Sequence, residues 1–380
     1  YVKVADCKYN TDNIIACIDE AYGNNTELIV FPELCITGYT CGDLFSQRRL
    51  ISSAMESISR LKKATINKNI ITVIGFPFEY IGNLYNCAAV LFKGSVLAVI
   101  PKSFLPNYNE FYEMRWFKEA LDDTRLIDFL GEEVPFGTNV VIRSDNMPEF
   151  TLGVEICEDL WSVIPPSLNH ALAGATIIAN PSAGNEITGK DLYRRGLVES
   201  QSARIIGGYV YACAGEGEST TDVVYSGHNL ICENGITLKE SQRFKNSIIY
   251  GDIDVYKITS ERQKNTSFRT DEGDYTVVNI DFKPNKGDID RFVDPAPFVP
   301  KDLKKRAKRC EEIINIQALG LKKRIEHIGC KNVVIGISGG LDSTQALIVT
   351  ARAFELAGLD KKGIIAVTMP CFGTTDRTYN

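Results

Sequence analysis

Residues 333–344 read VVIGISGGLDST, and this stretch decides the fold of the C-terminal part of the chain. A largely β-branched run from Val333 to Ile337 passes at once into glycines and then into Asp342, Ser343 and Thr344. Glycines at a strand end let backbone N–H groups turn inward and approach an anion with no Cβ in the way. The residues from Gln345 to Leu356 are good helix formers, so a helix N-terminus aims its partial positive charge at the same place. The spacing therefore predicts strand, phosphate-cradling loop and helix, the opening unit of a doubly wound parallel sheet. No lysine follows the glycines, which excludes a Walker A loop.

The same letters also fit G-x-S-x-G, the nucleophile elbow of hydrolases, from Gly336 to Gly340. That reading needs a histidine after the serine, and His170, His228 and His327 all precede Ser338. The string SGGLDS resembles the signature of the PP-loop ATP pyrophosphatases, which cleave ATP between the α and β phosphates to adenylate a substrate. The resemblance implies ATP contacts from Gly336, Ser338, Gly339, Gly340, Leu341 and Ser343. Asp342 is the candidate Mg²⁺ ligand, because hard cations prefer carboxylate oxygen. Met369, the last residue of the strand-like run GIIAVTM, is either a neighbour of the adenine or a plain core methionine.

A length of 380 residues predicts two or three domains. With 44% hydrophobic and 24% charged residues, the composition is that of a water-soluble globular protein. A net charge of −6 argues against a nucleic-acid surface. No apolar run approaches the roughly 20 residues that span a bilayer, so no membrane partner is expected. The eleven cysteines are irregularly spaced and form no C-x-x-C pair. They read as reduced thiols of a cytoplasmic protein rather than as zinc ligands. The chain opens at Tyr1 already inside a strand-like run and closes soon after GIIAVTM, so it reads as trimmed at both ends.

Strand-like and helix-like segments alternate over the first 280 positions. Strands are expected at Val2–Ala5, Glu27–Phe31, Ile70–Phe76, Tyr85–Phe92, Val96–Ile100, Asn139–Ile142, Leu152–Ile156, Thr176–Ala179 and Gly208–Ala214. Helices are expected over Asp12–Tyr22, 44–67, Pro165–Ala173 and Leu192–Ile206, and Lys93-Gly94-Ser95 is a hairpin signal. Near 283 the composition changes. Pro284, Pro295, Pro297 and Pro300 mark a semi-rigid linker, followed by a basic helix with Lys301, Lys304, Lys305, Arg306, Lys308 and Arg309. That charge run reads as a solvated helix face. The expected division is 1–282, 283–328 and 329–380, the last being an incomplete doubly wound domain.

Three reactive side chains stand where strands end. Glu33 closes IVFPE, Lys102 closes LAVIPK and Cys157 closes LGVEIC. In an α/β sheet such positions face the functional crevice. A carboxylate can take the thiol proton, a thiolate can attack, and an ammonium with a backbone N–H can hold an oxyanion. The segments FPELCITGY, PKSFLPNYNEFYE and GVEICEDLW resemble the three signatures of the nitrilase superfamily of carbon–nitrogen hydrolases. That resemblance implies an N-terminal α-β-β-α sandwich, with Glu33 as base, Lys102 as oxyanion partner and Cys157 as nucleophile. It also implies a second glutamate bracing the lysine, with Glu110 the first match and Glu113 the fallback.

Both halves on one chain, with GEGESTTD at 215–222 and PCFGTTDRTYN at 370–380, resemble the family of glutamine-dependent NAD(+) synthetases. The resemblance implies glutamine and nicotinic acid adenine dinucleotide as substrates, ATP and Mg²⁺ as cofactors, and a large homo-oligomer. Tyr39, Tyr108, Glu158 and Ser182 are the implied glutamine contacts. The family often carries serine where Gly184 stands and arginine where Lys190 stands, and a lysine offers one point charge in place of a fork. The rival reading is a stand-alone nitrilase-type amidase with a docking C-terminal segment.

Overall fold

The computed structural model describes residues 1–284 and 289–369, which form two compact units that divide between Arg291 and Phe292. The PCFGTTDRTYN run lies outside the described residues. Arg291 stays with the first unit because its guanidinium donates to Glu233 at 2.7 Å.

The first unit is built on two sheets. One comprises β1 (Leu28–Val30), β2 (Ile71–Tyr80), β3 (Asn83–Phe92), β4 (Ser95–Pro101), β5 (Arg125–Phe129) and β6 (Glu132–Phe136), in the order β1-β2-β3-β4-β6-β5. The other comprises β7 (Val140–Ser144), β8 (Thr151–Val154), β9 (Ile177–Ser182), β10 (Gly208–Cys213), β11 (Leu230–Glu233), β12 (Ile236–Glu240) and β13 (Thr276–Ile280). Their order is β12-β11-β10-β9-β8-β7-β13.

The alternation of side chains along each strand makes the layers. Ile71, Val73, Ala88 and Val90 from the first sheet meet Ile142, Leu152, Val154 and Ala179 from the second in one buried cluster. The opposite face of the first sheet, with Ile74, Phe76, Ala89 and Leu91, is covered by two helices, α1 (Cys7–Gly23) and α2 (Arg48–Ala64). These contribute Ile14, Ile18 and Ala21, and Leu50, Ala54, Ile58 and Leu61, at helical spacing. The outer face of the second sheet is covered by α3 (Pro166–Leu172) and α4 (Lys190–Arg204), through Ala171 and Val198. A further helix, α5 (Val255–Lys264), buries Val255 and Ile258. This is the expected four-layer α-β-β-α sandwich. Each fully buried aliphatic side chain contributes roughly 1.5–3 kcal/mol of burial, so the central cluster accounts for much of the cohesion between the sheets.

The hairpin between β3 and β4 turns on Lys93 (φ 46°) and Gly94 (φ 83°), as the Lys-Gly-Ser signal predicts. The strand expected at Val2–Ala5 is absent. The Lys3 N–H donates to Asn10 Oδ1 and the Ala5 N–H to Thr37 O, both at 2.7 Å, so these groups are spent on loop contacts and do not build a ladder.

The second unit contains α6 (Leu303–Ile328), β14 (Val333–Gly336), α7 (Leu341–Leu356) and β15 (Ile364–Val367). The two strands pair in parallel with α7 as the crossover, which is the expected opening of a doubly wound sheet. Asp302 caps α6 by accepting the Lys305 N–H at 2.7 Å, and the basic residues behind it are exposed, as a solvated face requires.

Candidate active site

The catalytic candidates are placed by strand ends and by one glycine. Just after β1 the chain folds back over β2, where a Cβ on Gly75 would meet Leu34 N at 2.3 Å and Pro32 O at 2.6 Å. Only glycine permits that approach, and it presses Pro32-Glu33-Leu34 onto the sheet. Leu34 takes φ 49°. Lys102 follows β4 directly, its N–H donating to Asn86 O at 2.8 Å. Cys157 follows β8 at φ 45°, a left-handed conformation that a side chain adopts at a cost of about 1–3 kcal/mol. Its N–H donates to Asn180 Oδ1 at 2.9 Å, which holds the strained turn in place.

The three side chains converge. Lys102 Nζ, fully buried, sits 2.6 Å from Glu33 Oε1 and 2.7 Å from Glu113 Oε1. Burial alone would strip the ammonium of its proton, but Glu113 and Glu33 together hold it well above the ordinary lysine range. Burial pushes the Cys157 thiol well up, and the negative charge of Glu33 adds to this. The Lys102 charge, the Ser182 hydroxyl and the Ala183 N–H oppose it. The Cys157 side chain is thus a resting thiol beside a carboxylate and an ammonium. Glu33 Oε2 is buried without a hydrogen-bond partner among the described residues, which leaves it able to accept a proton.

The brace of the lysine is Glu113 rather than Glu110. Glu110 instead accepts from Asn185 Nδ2. The intervening chain turns through a single 3₁₀ turn at Glu113–Arg115, which directs Glu113 inward and buries it. Burial raises the Glu113 carboxyl, with Lys102 opposing. Asn86, in the middle of β3, is a member of the cluster with no motif of its own. Its Nδ2 donates to Glu33 Oε1 at 2.6 Å and lies 3.4 Å from Glu113 Oε2, so one amide separates two carboxylates. Tyr39 donates its hydroxyl to Glu113 Oε1 at 2.7 Å. The loop carrying Tyr39 is held by Glu218 of GEGESTTD, whose carboxylate accepts the N–H groups of Tyr39 and Thr40 at 2.8 and 3.0 Å.

The binding candidates gather around the same thiol. Tyr108 donates to Glu158 Oε1 at 2.8 Å, and burial lifts the Glu158 carboxyl. Lys190 donates to Asn185 Oδ1 and lies over the rings of Trp161 (5.3 Å) and Phe111 (5.9 Å). Burial, and then Arg194, lower its pKa. Ser182 donates to the Tyr211 hydroxyl at 2.7 Å. A Cβ on Gly184 would meet that hydroxyl at 3.2 Å, tighter than ordinary contact. Lys190 and Glu110 share the Asn185 side chain, and Glu158 feels the Lys190 charge, so a cation and two carboxyl groups cluster near the thiol.

In the second unit the loop after β14 is tied by its own side chains. Ser343 Oγ accepts the Ser338 N–H at 3.2 Å and donates to Gly340 O at 3.1 Å. Gly339 takes φ 78° and Gly340 precedes the first turn of α7, where Asp342 sits. Met369 Cε lies 3.7 Å from the place of a Cβ on Gly336, at the start of the loop. Among the described residues, no cluster of three or more His, Cys, Asp or Glu could hold a metal. Asp342 fits a cation that draws its remaining oxygens from phosphates and water, the usual habit of Mg²⁺. No helix of the described residues is long and apolar enough to cross a membrane.

Residues 2–263 match the carbon-nitrogen hydrolase family, and residues 313–379 match the NAD synthase family. The glutamine-dependent NAD(+) synthetase of Mycobacterium bovis is 38% identical over 400 residues, covering all of this chain and 59% of that protein. A solved glutamine-dependent NAD(+) synthetase from Cytophaga hutchinsonii is 25% identical with a TM-score of 0.60, over 100% of this chain and 60% of its own. An amidase from Nesterenkonia sp., 19% identical with a TM-score of 0.51, matches 65% of this chain and 84% of its own, and shares the sandwich fold. The chain therefore spans about 59% of the length of the curated relative it matches. By its matched sandwich, and by the acid, amine and thiol that meet inside it, the chain belongs to the carbon–nitrogen hydrolase family.

Proposed function

We propose that the first unit hydrolyses the side-chain amide of glutamine, and that the ammonia serves ATP-dependent amidation of nicotinic acid adenine dinucleotide to NAD(+) in the longer protein to which the second unit contributes. The observation that carries the first half is the buried Lys102 bridging Glu33 and Glu113 beside Cys157.

Glutamine lies with its α-carboxylate toward Lys190 and its α-amino group toward Glu158, while the amide reaches Cys157. Glu33 takes the thiol proton as sulfur attacks the amide carbon. The oxyanion is held by Lys102 and by the N–H of Glu158, because the Cys157 N–H is already given to Asn180. Glu33 returns the proton to the leaving nitrogen, ammonia departs and a γ-glutamyl thioester remains. Water, deprotonated by Glu33, then releases glutamate.

In the second unit Gly336, Ser338, Gly339, Gly340 and Ser343 cradle the pyrophosphate of ATP, with Leu341 and Met369 toward the nucleoside. Asp342 supplies one ligand to Mg²⁺, which when bound neutralises phosphate charge. The nitrilase resemblance also implies a large homo-oligomer, because domains of that superfamily pair face to face. The test is a product assay on the full-length protein. Glutamine, Mg-ATP and nicotinic acid adenine dinucleotide should give NAD(+), glutamate and pyrophosphate in equal amounts. Glutamate release with no ATP-dependent pyrophosphate would leave a stand-alone amidase.

A further inference from the structure

The lysine and the nucleophile belong to separate strands of separate sheets, and one carboxylate joins them. Asp159 is 1% exposed and has no cation within ion-pair distance among the described residues. Its Oδ1 accepts the N–H groups of Ser103 and Phe104 at 3.0 and 2.9 Å, the two residues that follow Lys102. Its Oδ2 accepts the N–H of Ile156 at 2.8 Å, the residue that precedes Cys157. Burial pushes its carboxyl up to about 8, against the three main-chain donors that favour the charged form, and a turn cap needs only one of those bonds. The two bonds to the lysine loop, 55 and 56 positions away in the chain, do nothing for the turn at Cys157.

We propose that Asp159 is a positioning residue that fixes the separation between the Lys102 ammonium and the Cys157 thiol by holding the backbone of both segments. This rests on the assignment of Cys157 as nucleophile. The chain fixes each group to its own segment: Lys102 through its N–H on Asn86 O, and Cys157 through its N–H on Asn180 Oδ1. Asp159 supplies a link between the two. A displacement of about 1 Å at such a site costs about a hundredfold in rate.

The test uses the full-length protein and three readouts: glutaminase kcat and KM, melting temperature, and the pH profile of Cys157 alkylation by iodoacetamide, read by peptide mass spectrometry. Asp159→Asn keeps the shape but turns an NH₂ toward main-chain donors. It should lower kcat about a hundredfold with KM within about twofold. It should also move the alkylation midpoint to higher pH, because the thiol loses part of the lysine charge that lowers its pKa. Asp159→Glu restores the carboxylate on a longer arm and should fall between Asn and wild type in both readouts. If the Asn variant does not fold, the Glu variant decides: a lower kcat with a raised midpoint supports the proposal. A variant that melts earlier yet keeps the wild-type midpoint overturns it, leaving Asp159 a turn cap. Wild-type protein that releases no glutamate would refute the glutaminase reading, while the alkylation profiles would still decide the role of Asp159.

Discussion

The two units treat their candidate sites in opposite ways. In the sandwich, Glu33, Lys102, Glu113 and Cys157 are all less than a tenth exposed, and bonds from several strands of both sheets orient them. In the second unit the glycine-serine loop is shaped by its own residues, with Gly339 at φ 78° and Ser343 tying Ser338 to Gly340. A cysteine hydrolase must fix an acid, an amine and a sulfur in a dry pocket before substrate arrives, because each is weak in water. A phosphate cradle needs only backbone N–H groups and a helix end, which a single strand-loop-helix unit supplies. The first is a tertiary construction and the second a local one.

That contrast breaks most sharply under paired substitutions. Cys157→Ala should cut glutamate release by about a thousandfold or more and leave ATP–pyrophosphate exchange unchanged when ammonia is supplied. Asp342→Ala should cut that exchange by about a hundredfold and leave glutamate release within about twofold. Parallel loss of both activities in either variant would mean that the sites are not separable.

Within the sandwich, Glu113→Gln should lower glutaminase kcat by about a hundredfold, because Lys102 loses one of the two charges that keep it protonated. Glu110→Gln should raise KM by several-fold, roughly the loss of one hydrogen bond, with kcat nearly unchanged. Equal effects on kcat would return Glu110 to the lysine.

A further prediction concerns pH. The Cys157 thiol is raised above its ordinary value, so thiolate is scarce at neutral pH and increases as protons are withdrawn. Iodoacetamide should alkylate Cys157 slowly near pH 7, with a rate that climbs about tenfold per pH unit and no plateau by about pH 9. A plateau near pH 7 would instead indicate a thiolate–ammonium pair in the resting protein.

The sequence made the local features legible and left the tertiary ones dark. Glu33, Lys102 and Cys157 each end an apolar run, and the strand that delivers each is visible as a string of letters. The choice between Glu110 and Glu113 was not visible, because three residues on an irregular loop can point either way and only the 3₁₀ turn at Glu113 decides. Asn86 lies mid-strand among buried neighbours and reads as an interruption of β3, although its amide stands between the carboxylates of Glu33 and Glu113. Glu218 grips the Tyr39 loop from 179 positions away, a distance over which no spacing rule operates. Val2–Ala5 alternates like a strand and yet forms none, because Asn10 and Thr37 take its backbone groups. The β5–β6 and β11–β12 hairpins were missed for different reasons. The first mixes charged and apolar residues, whereas Asn234-Gly235 in the second is an ordinary hairpin turn that the pattern does contain.

The central claim is that the sulfur of Cys157 carries the substrate. Acid-quenching the protein during glutamine turnover and mapping the adduct by peptide mass spectrometry tests it directly. The account predicts a γ-glutamyl group on the peptide containing Cys157, and none on the same peptide in Cys157→Ala. An adduct on another cysteine, such as the buried Cys213, or rapid glutamate release with no adduct on any cysteine, would contradict it.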